Sequence, residues 1–386
     1  MLNQFITILE SDKNIELQII AGVLSKENKH HTLFKNQLLE GKIFNLKIPY
    51  SYWKRLIILP FLFIYCFLRT PVNTIRSFSV KKYSSAAINF KNLFFLKYFH
   101  RKYFDIIHCH FGQNGLIGAF LKDCGCCKKL IITFHGTDIT SIPNKYGKNM
   151  YNYMFSKADH ITSGSFFIKD KIIKHGGKTV SVIPMGINST PLITSKNRNT
   201  FLSVGRLVEV KGLTYAISAF KTISDVFPKI NYNIIGNGPL YDPLLLQIRQ
   251  SSLENRVFLL GEKSDSELET YFQDAIALIF PSIRTADGSE EGQGLVIQEA
   301  GIRGIPVIGT NTGGIPEGIK DGISGWIIPE KDSFGISEKM KYFLSNTEQM
   351  EKFGIEAHSF ALEKYNNEKI VSGLLSTVYF NNQLSQ

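Results

Sequence analysis

The sequence predicts an α/β protein with two doubly wound domains, each built on a parallel sheet. In the second half of the chain, short apolar strands alternate with segments of helical spacing, which is the pattern of a parallel sheet with crossover helices. The first half repeats this rhythm less regularly. The 386 residues, 44% hydrophobic and 20% charged, are enough for two domains with cores of their own.

The first half contains six segments with the apolar character of strands, which we expect to form one sheet. The predicted strands are 17–23, 43–48, 105–111, 129–134, 160–163 and 180–184. A polar stretch rich in Ser, Thr and Asn, 185–199, follows them and is the predicted linker.

The second half alternates strands and helices in a regular order. The predicted strands are 200–205, 230–235, 257–260, 275–280 and 305–309. The predicted helices are 213–223, 241–251, 264–272 (capped by Ser264 or Asp265) and about 294–302.

A glycine-containing run, 287–300, lies between the last two predicted strands and includes the acids Glu291 and Glu299. The helix within it would place free backbone N–H groups at the carboxyl end of a strand, where an open α/β sheet binds phosphates. Glu291 and Glu299, eight residues apart, can accept hydrogen bonds from hydroxyl groups. This combination suits a sugar nucleotide; the alternative is a glycine-rich turn flanked by surface acids.

The sequence of this run resembles the motif of a known family. E-G-x-G-L-V-x-x-E is similar to the Glu-x7-Glu signature of glycosyltransferase family 4, a retaining group with the GT-B fold. The longer A-D-G-x-x-E-G resembles the branch that builds exopolysaccharides of the colanic-acid type. The resemblance implies two Rossmann-like domains that face each other across a cleft.

The resemblance also implies where the domains begin and end and what each of them binds. Residues 1–187 would bind the acceptor and face the membrane, and residues 188–365 would bind the nucleotide sugar. Residues 366–386 would contain a helix, with 367–379 as the candidate, that crosses back to the first domain.

Two basic residues are expected to hold the donor diphosphate. Gly205 to Gly212 resembles the family motif G-R-L-x-x-x-K-G, in which Arg206 provides a bidentate fork and Lys211 a mobile point charge. Such groups do the work of a metal ion in other glycosyltransferases, and the sequence has no Asp-x-Asp motif. We therefore expect neither a metal ion nor another cofactor; the alternative is a surface pair beside a loop.

The remaining donor contacts follow from the same resemblance. Glu291 is expected to bind hexose hydroxyls and to take part in catalysis, and Glu299 is expected to bind the ribose. The backbone amides of Gly294 and Leu295 would contact the diphosphate. Two further glycines are expected in the turn near the nucleotide: Gly236 and Gly238.

Three histidines of the first domain are candidates for a functional role. His135 lies in an F-H-G motif whose histidine, in the family, points at the donor sugar, and Asp138 would either orient it or cap the next helix. His108 and His110 alternate along a strand and so face the same side. They could line the acceptor pocket with Asn114 and its neighbour Gln113, be structural, or contribute to a metal site.

Basic residues are concentrated in the first half of the chain. Residues 1–185 hold 26 Lys and Arg against 10 Asp and Glu, and residues 41–104 hold twelve basic residues and no acid. The apolar run 56–68 is too short to span a bilayer and is interrupted by Pro60. We expect this region to lie on an anionic membrane surface; the alternative is a buried helix with a solvated basic face. No nucleic-acid recognition motif accompanies the charge.

The cysteines and the chain start bear on localisation. The five cysteines show neither paired zinc spacing nor a disulfide framework, and we expect a reducing compartment without a signal peptide, at the inner face of the cell membrane. Residues 1–9 resemble the middle of the family's first helix, so its first strand is missing from the sequence. A mis-set start or truncated gene is favoured over a degenerate protein.

The leading hypothesis is therefore a metal-independent, retaining glycosyltransferase that moves a hexose from a nucleotide sugar to a lipid-linked or polysaccharide acceptor in bacterial surface-polysaccharide synthesis. A truncated, non-catalytic protein that binds nucleotide sugars is the alternative. An epimerase or phosphorylase of the same fold is the third hypothesis. Retention through a carboxylate nucleophile has no acid clearly placed for it, and in the family a front-face substitution is the usual proposal.

Overall fold

The computed structural model describes residues 2–22, 36–193 and 198–380. The chain forms two compact units: the first comprises Met1–Pro184 and Glu368–Gln386, and the second comprises Met185–Asn367. Each unit contains parallel sheets and helices, so the α/β class predicted from the sequence is confirmed. The part of the predicted linker at 194–197 lies outside the described residues.

Residues 2–11 form a helix, as the resemblance of residues 1–9 to the family's first helix implies. The strands of the first unit are β1 (Ile19–Ala21), β2 (Ile43–Asn45), β3 (Phe104–His110), β4 (Cys127–Phe134), β5 (His160–Ser163) and β6 (Val180–Val182). Its helices are α1 (Leu2–Ser11), α2 (Tyr52–Phe67), α3 (Pro71–Arg76), α4 (Val80–Ile88), α5 (Lys91–Phe99), α6 (Gly112–Asp123), α7 (Thr137–Thr140), α8 (Ile142–Tyr146), α9 (Asn152–Lys157) and α10 (Phe166–Lys174).

The strands of the first unit form two sheets, and the prediction of one sheet was wrong. Strands β3, β4, β5 and β6 pair in that order, all parallel, whereas β1 and β2 pair with each other. Within the described residues β1 pairs only with β2, and β3 pairs only with β4. Apolar pattern predicts strands, but it carries no information about which edges pair.

Strand β4 shows how the first unit builds its core. Leu130 and Ile132 lie in the large cluster that includes α2, α4, α5 and α6. Ile131, between them, faces a smaller cluster that includes Ile8 of α1. Because side chains alternate along a strand, this apolar run buries both faces of the sheet.

Between residues 200 and 310 the second unit follows the predicted order of strands and helices, and its elements after residue 310 were not predicted. Its strands are β7 (Thr200–Val204), β8 (Asn231–Ile235), β9 (Val257–Leu259), β10 (Ala275–Phe280), β11 (Val307–Thr310) and β12 (Gly325–Ile328). Its helices are α11 (Leu213–Ser224), α12 (Tyr241–Gln250), α13 (Asp265–Gln273), α14 (Leu295–Ile302), α15 (Ser333–Ser345) and α16 (Thr347–Tyr365).

These strands form one parallel six-stranded sheet in the order β12-β11-β10-β7-β8-β9. All six residues of β10 are buried, and on β7 Phe201 and Leu202 pack into clusters on opposite faces. The cap of α13 is Ser264, whose side chain accepts from the Glu267 amide in a capping box, so the first of the two predicted caps is confirmed.

The last helix of the described chain packs in the core of the first unit. Helix α17 (Asn367–Leu374) continues as a π-helical turn, Leu375–Tyr379, over the predicted range 367–379. Val371 and Val378 of this segment pack in the cluster of Ile8 and Ile131. None of the helices in the described part of the chain is long and apolar enough to cross a membrane.

Candidate functional site

The topology of the second unit indicates the carboxyl ends of two central strands as the place for a ligand. Strands β7 and β10 are neighbours, but from β7 the chain passes through α11 to β8, and from β10 it passes through α14 to β11 on the other side. The connections therefore diverge at the carboxyl ends of β7 and β10. In open α/β sheets such a switch point is where ligands bind.

Glycines shape the loop after β7, which contains Arg206. Gly236 follows β8 with φ of 135°, and a Cβ at this position would lie 1.9 Å from the carbonyl oxygen of Gly205. Gly238 approaches Leu207 in the same way. Only glycine permits this approach, so the predicted turn holds the Arg206 loop in place. The Arg206 side chain is exposed and has no hydrogen-bond or ion-pair partner in the described part of the chain.

Helix α14 places its N-terminus after β10. Gly294 precedes the helix with φ of 70°, and the exposed Leu295 is its first residue, so the first amides of α14 are free of intrahelical partners. Burial raises the pKa of Glu299, a partly buried residue in this helix, while Arg303 lowers it. No side chain described in the structure donates a hydrogen bond to the Glu299 carboxylate.

The structure brings two of the predicted donor residues together. Lys211 Nζ lies 2.7 Å from Glu291 Oε2, and both side chains are partly buried. The same ammonium lies 4.6 Å from the centre of the Phe280 ring, a cation–π contact. The Glu291 carbonyl accepts a hydrogen bond from the Gly314 amide at 2.9 Å, so the loop after β11 holds the backbone of this acid in place.

A small pocket open to solvent lies beside this ion pair. Its lining includes Gly205, Arg206, Lys211, Phe280 and Pro281. The pocket thus combines two cationic side chains with an aromatic ring. Phe280 was not predicted as a site residue, although its place at the carboxyl end of a buried strand could have indicated it.

Gln293, between the two glycines of the motif, makes contacts that the sequence did not predict. Its Nε2 donates to the Met185 carbonyl at 3.0 Å, and its Oε1 accepts from the Met185 amide at 2.8 Å. Gln293 is buried, and Met185 is the first residue of the second unit. This pair of hydrogen bonds ties the glycine loop to the start of the unit.

In the first unit, His108 and His110 lie on the same face of β3, as the alternation predicts, with ring centres 4.6 Å apart. Both His108 nitrogens already have partners: Nδ1 shares a hydrogen bond with the Tyr379 hydroxyl at 2.6 Å, and Nε2 shares one with Thr133 at 2.6 Å. Within the first unit, His108 therefore has a structural environment.

His110 links this pair to His135. His110 Nδ1 lies 3.0 Å from His135 Nε2, and His110 Nε2 is buried without a partner among the described residues. Burial lowers the pKa of His135 to about 4 and that of His108 to about 3, and it lowers the pKa of His110 well below its ordinary value. All three rings are therefore neutral at pH 7.

Asp138 holds the backbone that carries His135. Its carboxylate accepts from the amides of His135 and Gly136, at 3.1 and 2.8 Å, and from the amide of Gly112 at 3.0 Å. Asp138 thus contacts the His135 backbone rather than its ring, and it also contacts the first residue of α6. Burial raises its pKa despite these hydrogen bonds.

Asn114 lies exposed in the first turn of α6, where its Nδ2 donates to the His110 carbonyl at 2.8 Å. Among residues 2–22, 36–193 and 198–380, no group of three or more His, Cys, Asp or Glu side chains could hold a metal ion. All five cysteines are free thiols.

Comparison with known proteins gives the family. The model described as "Glycosyltransferase Family 4" matches residues 68–190, and the model "Glycosyl transferases group 1" matches residues 188–360. The chain is 30% identical over 288 residues to the WcaL glycosyltransferase of Salmonella typhimurium, named for colanic acid biosynthesis, and covers 71% of it. The chain belongs to glycosyltransferase family 4.

Relatives in this family 4 branch are named for exopolysaccharide synthesis. The AmsK glycosyltransferase of Erwinia amylovora, named for amylovoran biosynthesis, is 33% identical over 240 residues. The matches span 58% of that relative's length and 61% of the length of WcaL from Escherichia coli, which is 32% identical over 249 residues.

Solved structures show the fold of this family 4 chain. The Anabaena protein Alr3699/HepE in complex with UDP and glucose superposes with a TM-score of 0.71 at 17% identity, over 98% of this chain and 95% of that one. A glycosyltransferase from Rickettsia africae gives 0.67 at 18% identity, over 97% and 93%. The fold is GT-B, as the sequence predicted.

Proposed function

We propose that this chain is a retaining, metal-independent hexosyltransferase that uses a nucleotide-sugar donor. Its acceptor is a lipid-linked sugar or a growing polysaccharide, and its product is a bacterial exopolysaccharide, capsule or lipopolysaccharide. The Lys211–Glu291 ion pair at the switch point of the second unit is the observation that carries this proposal. The relatives named for colanic acid and amylovoran biosynthesis support the class of product.

The positive groups of the second unit stabilise the leaving diphosphate. When the bond to the sugar breaks, negative charge builds up on the leaving phosphate, and charge-assisted hydrogen bonds to it strengthen. Arg206 can bind such oxygens bidentately, Lys211 lies beside the same pocket, and the free amides at Gly294 and Leu295 add helix-terminal donors. These groups supply the positive charge, so the proposal includes no metal ion or other cofactor.

The two acids bind hydroxyl groups. Glu291 already accepts a hydrogen bond from Lys211, and its second oxygen can accept one from a hexose hydroxyl. Burial raises the pKa of Glu299, and two ribose hydroxyls would supply hydrogen bonds to its carboxylate. Alr3699/HepE is known with bound UDP and UDP-glucose, which supports a nucleotide-sugar donor here.

His135 is the proposed sugar contact of the first unit. Because the ring is neutral at pH 7, it can donate or accept a hydrogen bond but carries no charge. Its Nε2 is engaged by His110, which leaves Nδ1 for a sugar hydroxyl. His110 and Asp138 are positioning residues for His135. We keep His108, His110 and Asn114 as candidates on the acceptor side, with Asn114 the most exposed of the three.

A membrane-bound acceptor explains the charge of the first unit. Its basic stretch without acids, 41–104, would lie on the anionic inner face of the cell membrane, where lipid-linked sugars are held. The chain would then act as a peripheral membrane enzyme on the cytoplasmic side.

Transfer of label tests this function. Wild-type protein is incubated with a panel of radiolabelled nucleotide sugars and with lipid extracted from bacterial membranes, beside Glu291→Gln and the matched control Glu356→Gln, which changes an exposed acid of α16. We expect label in the lipid or polysaccharide with one donor, and loss of the label only with Glu291→Gln. Nucleotide binding without transfer would favour the non-catalytic alternative, and a changed nucleotide sugar without an acceptor would favour an epimerase.

A further inference from the structure

The outer face of α2 and α3 is apolar, unlike that of an ordinary surface helix. Six large side chains of this face are exposed, among them Trp53 at 74% and Phe61 at 77%. We call this set the apolar ridge: Trp53, Ile57, Phe61, Ile64, Leu68 and Val72. Surface helices of globular proteins place polar side chains at such positions.

Within α2 the ridge is one stripe rather than scattered exposure. Trp53, Ile57, Phe61 and Ile64 follow each other at steps of three or four residues, which is the spacing of one helix face, and Leu68 and Val72 lie beyond the end of this helix. On the opposite face of α2, Leu62 and Cys66 are buried in the core of the first unit. Helix α2 is therefore anchored on one side and apolar on the other, and its outer face is available for a partner.

The charges around the ridge indicate the chemistry of that partner. Lys54 and Arg69 are exposed on or next to α2, and the whole stretch 41–104 has no acidic residue. Helix α2 has 16 residues with Pro60 inside it, which is too short to cross a bilayer. An apolar face bordered by cations, with a tryptophan at one end, fits the interface of an anionic membrane.

We propose that the apolar ridge of α2 and α3 inserts into the headgroup region of an anionic bilayer. The inserted face lies parallel to the membrane surface, and the surrounding Lys and Arg side chains bind lipid phosphates. This inference gives the membrane contact of the proposed transferase a defined surface. It rests on the proposed function for its biological purpose only, since vesicle binding requires neither donor nor acceptor.

Sedimentation with vesicles tests the ridge. Full-length protein is mixed with vesicles of equal parts phosphatidylglycerol and phosphatidylcholine, and separately with pure phosphatidylcholine. We expect binding to the anionic vesicles and a reduction of about tenfold or more in Phe61→Asp, since a charge replaces an inserted ring. The matched control Phe334→Asp changes a phenylalanine of the second unit that is 71% exposed, and it should bind like wild type.

Tryptophan emission gives an independent readout. The chain has two tryptophans, and Trp326 packs against Tyr342 and Phe353 in the second unit. Anionic vesicles should shift the emission of Trp53 to the blue, and Trp53→Phe should lose this shift while it retains binding. A shift that persists in Trp53→Phe would contradict insertion at the ridge.

The remaining outcomes overturn the proposal or separate it from the function. Equal loss of vesicle binding in Phe61→Asp and Phe334→Asp would remove the role of the ridge. A wild-type dimer in light scattering that Phe61→Asp converts to a monomer, without vesicle binding, would assign the ridge to a second copy of the chain. Vesicle binding without sugar transfer would support insertion of the ridge and contradict the proposed function.

Discussion

The candidate donor site of the second unit contains an ion pair, whereas the histidine cluster of the first unit is uncharged. In the second unit, Lys211 and Glu291 form an ion pair near the carboxyl ends of parallel strands. In the first unit, burial lowers the pKa values of His108, His110 and His135, so that three adjacent rings are neutral at pH 7. The second unit is thus suited to bind and release a charged group, and the first to hold uncharged hydrogen-bonding groups in fixed positions.

The largest expected effect is a loss of stability at acidic pH in the first unit. Because the folded pKa values of these histidines lie below the ordinary value of about 6.5, the unfolded chain binds protons first as the pH falls. The free energy of unfolding of the first unit should therefore decrease between about pH 6.5 and pH 4, by about 1.4 kcal/mol per pH unit for each histidine that stays neutral.

Hydrogen exchange, corrected for intrinsic rates, measures this difference. Amides of β3 and β4 should lose protection at pH 5 relative to pH 7, whereas those of β7 and β10 should change less. A parallel loss in both units would show that the histidine cluster does not dominate the acid response.

Lys211→Met tests the charged side of the comparison. Loss of the ammonium removes one stabilising group from the leaving diphosphate, and we expect transfer to fall by about 10³-fold. Binding of a nucleoside diphosphate should weaken as well, in calorimetry. The matched control is Lys229→Met, an exposed lysine before β8. Comparable losses in both variants would argue against a specific role of Lys211.

Glu291→Gln separates sugar binding from diphosphate binding. The amide keeps the shape of the side chain but removes the charge that accepts from a sugar hydroxyl, so transfer should fall by about 100-fold. The measurement is the initial rate with the labelled donor, beside Glu356→Gln. An unchanged rate in Glu291→Gln would remove this acid from catalysis.

Gln293→Leu gives the smallest expected effect, on stability. The change leaves the Met185 amide and carbonyl without their partners inside the unit, and we expect the second unit to lose about 2 kcal/mol in free energy of unfolding. Denaturant unfolding measures the loss. Gln247→Leu, which removes hydrogen bonds nearer the surface, should cost less. Equal costs would show that the Met185 contact is not special.

The two units also differ in how far their sequence predicts them. Residues 200–309 fold into the predicted strands and helices, and three of the residues that line the pocket, Gly205, Arg206 and Lys211, come from one contiguous motif. In the first unit, strands β1 and β2 were predicted, but their separation from the main sheet was not. Periodicity determines which residues are extended, and pairing depends on edges that are far apart in sequence.

Contacts between distant residues account for most of what was missed. Tyr379 reaches His108 across 271 positions, and no local pattern indicates this hydrogen bond. Gln293 and Met185 are 108 positions apart, and a glutamine in a glycine loop does not by itself indicate a hydrogen-bond partner. For the apolar run of α2 the sequence favoured a membrane-facing surface over a buried helix with a solvated basic face, but it did not indicate which side chains are exposed.

Binding of a nucleoside diphosphate to Glu291→Ala and Arg206→Ala tests the central claim most directly. The claim is that Arg206 and Lys211 hold the diphosphate, whereas Glu291 contacts the sugar and pairs with Lys211. Removal of Glu291 frees Lys211, so calorimetry should show binding equal to or tighter than wild type, while Arg206→Ala binds about tenfold or more weakly. If Glu291→Ala loses as much affinity as Arg206→Ala, the assignment of Glu291 to the sugar is wrong.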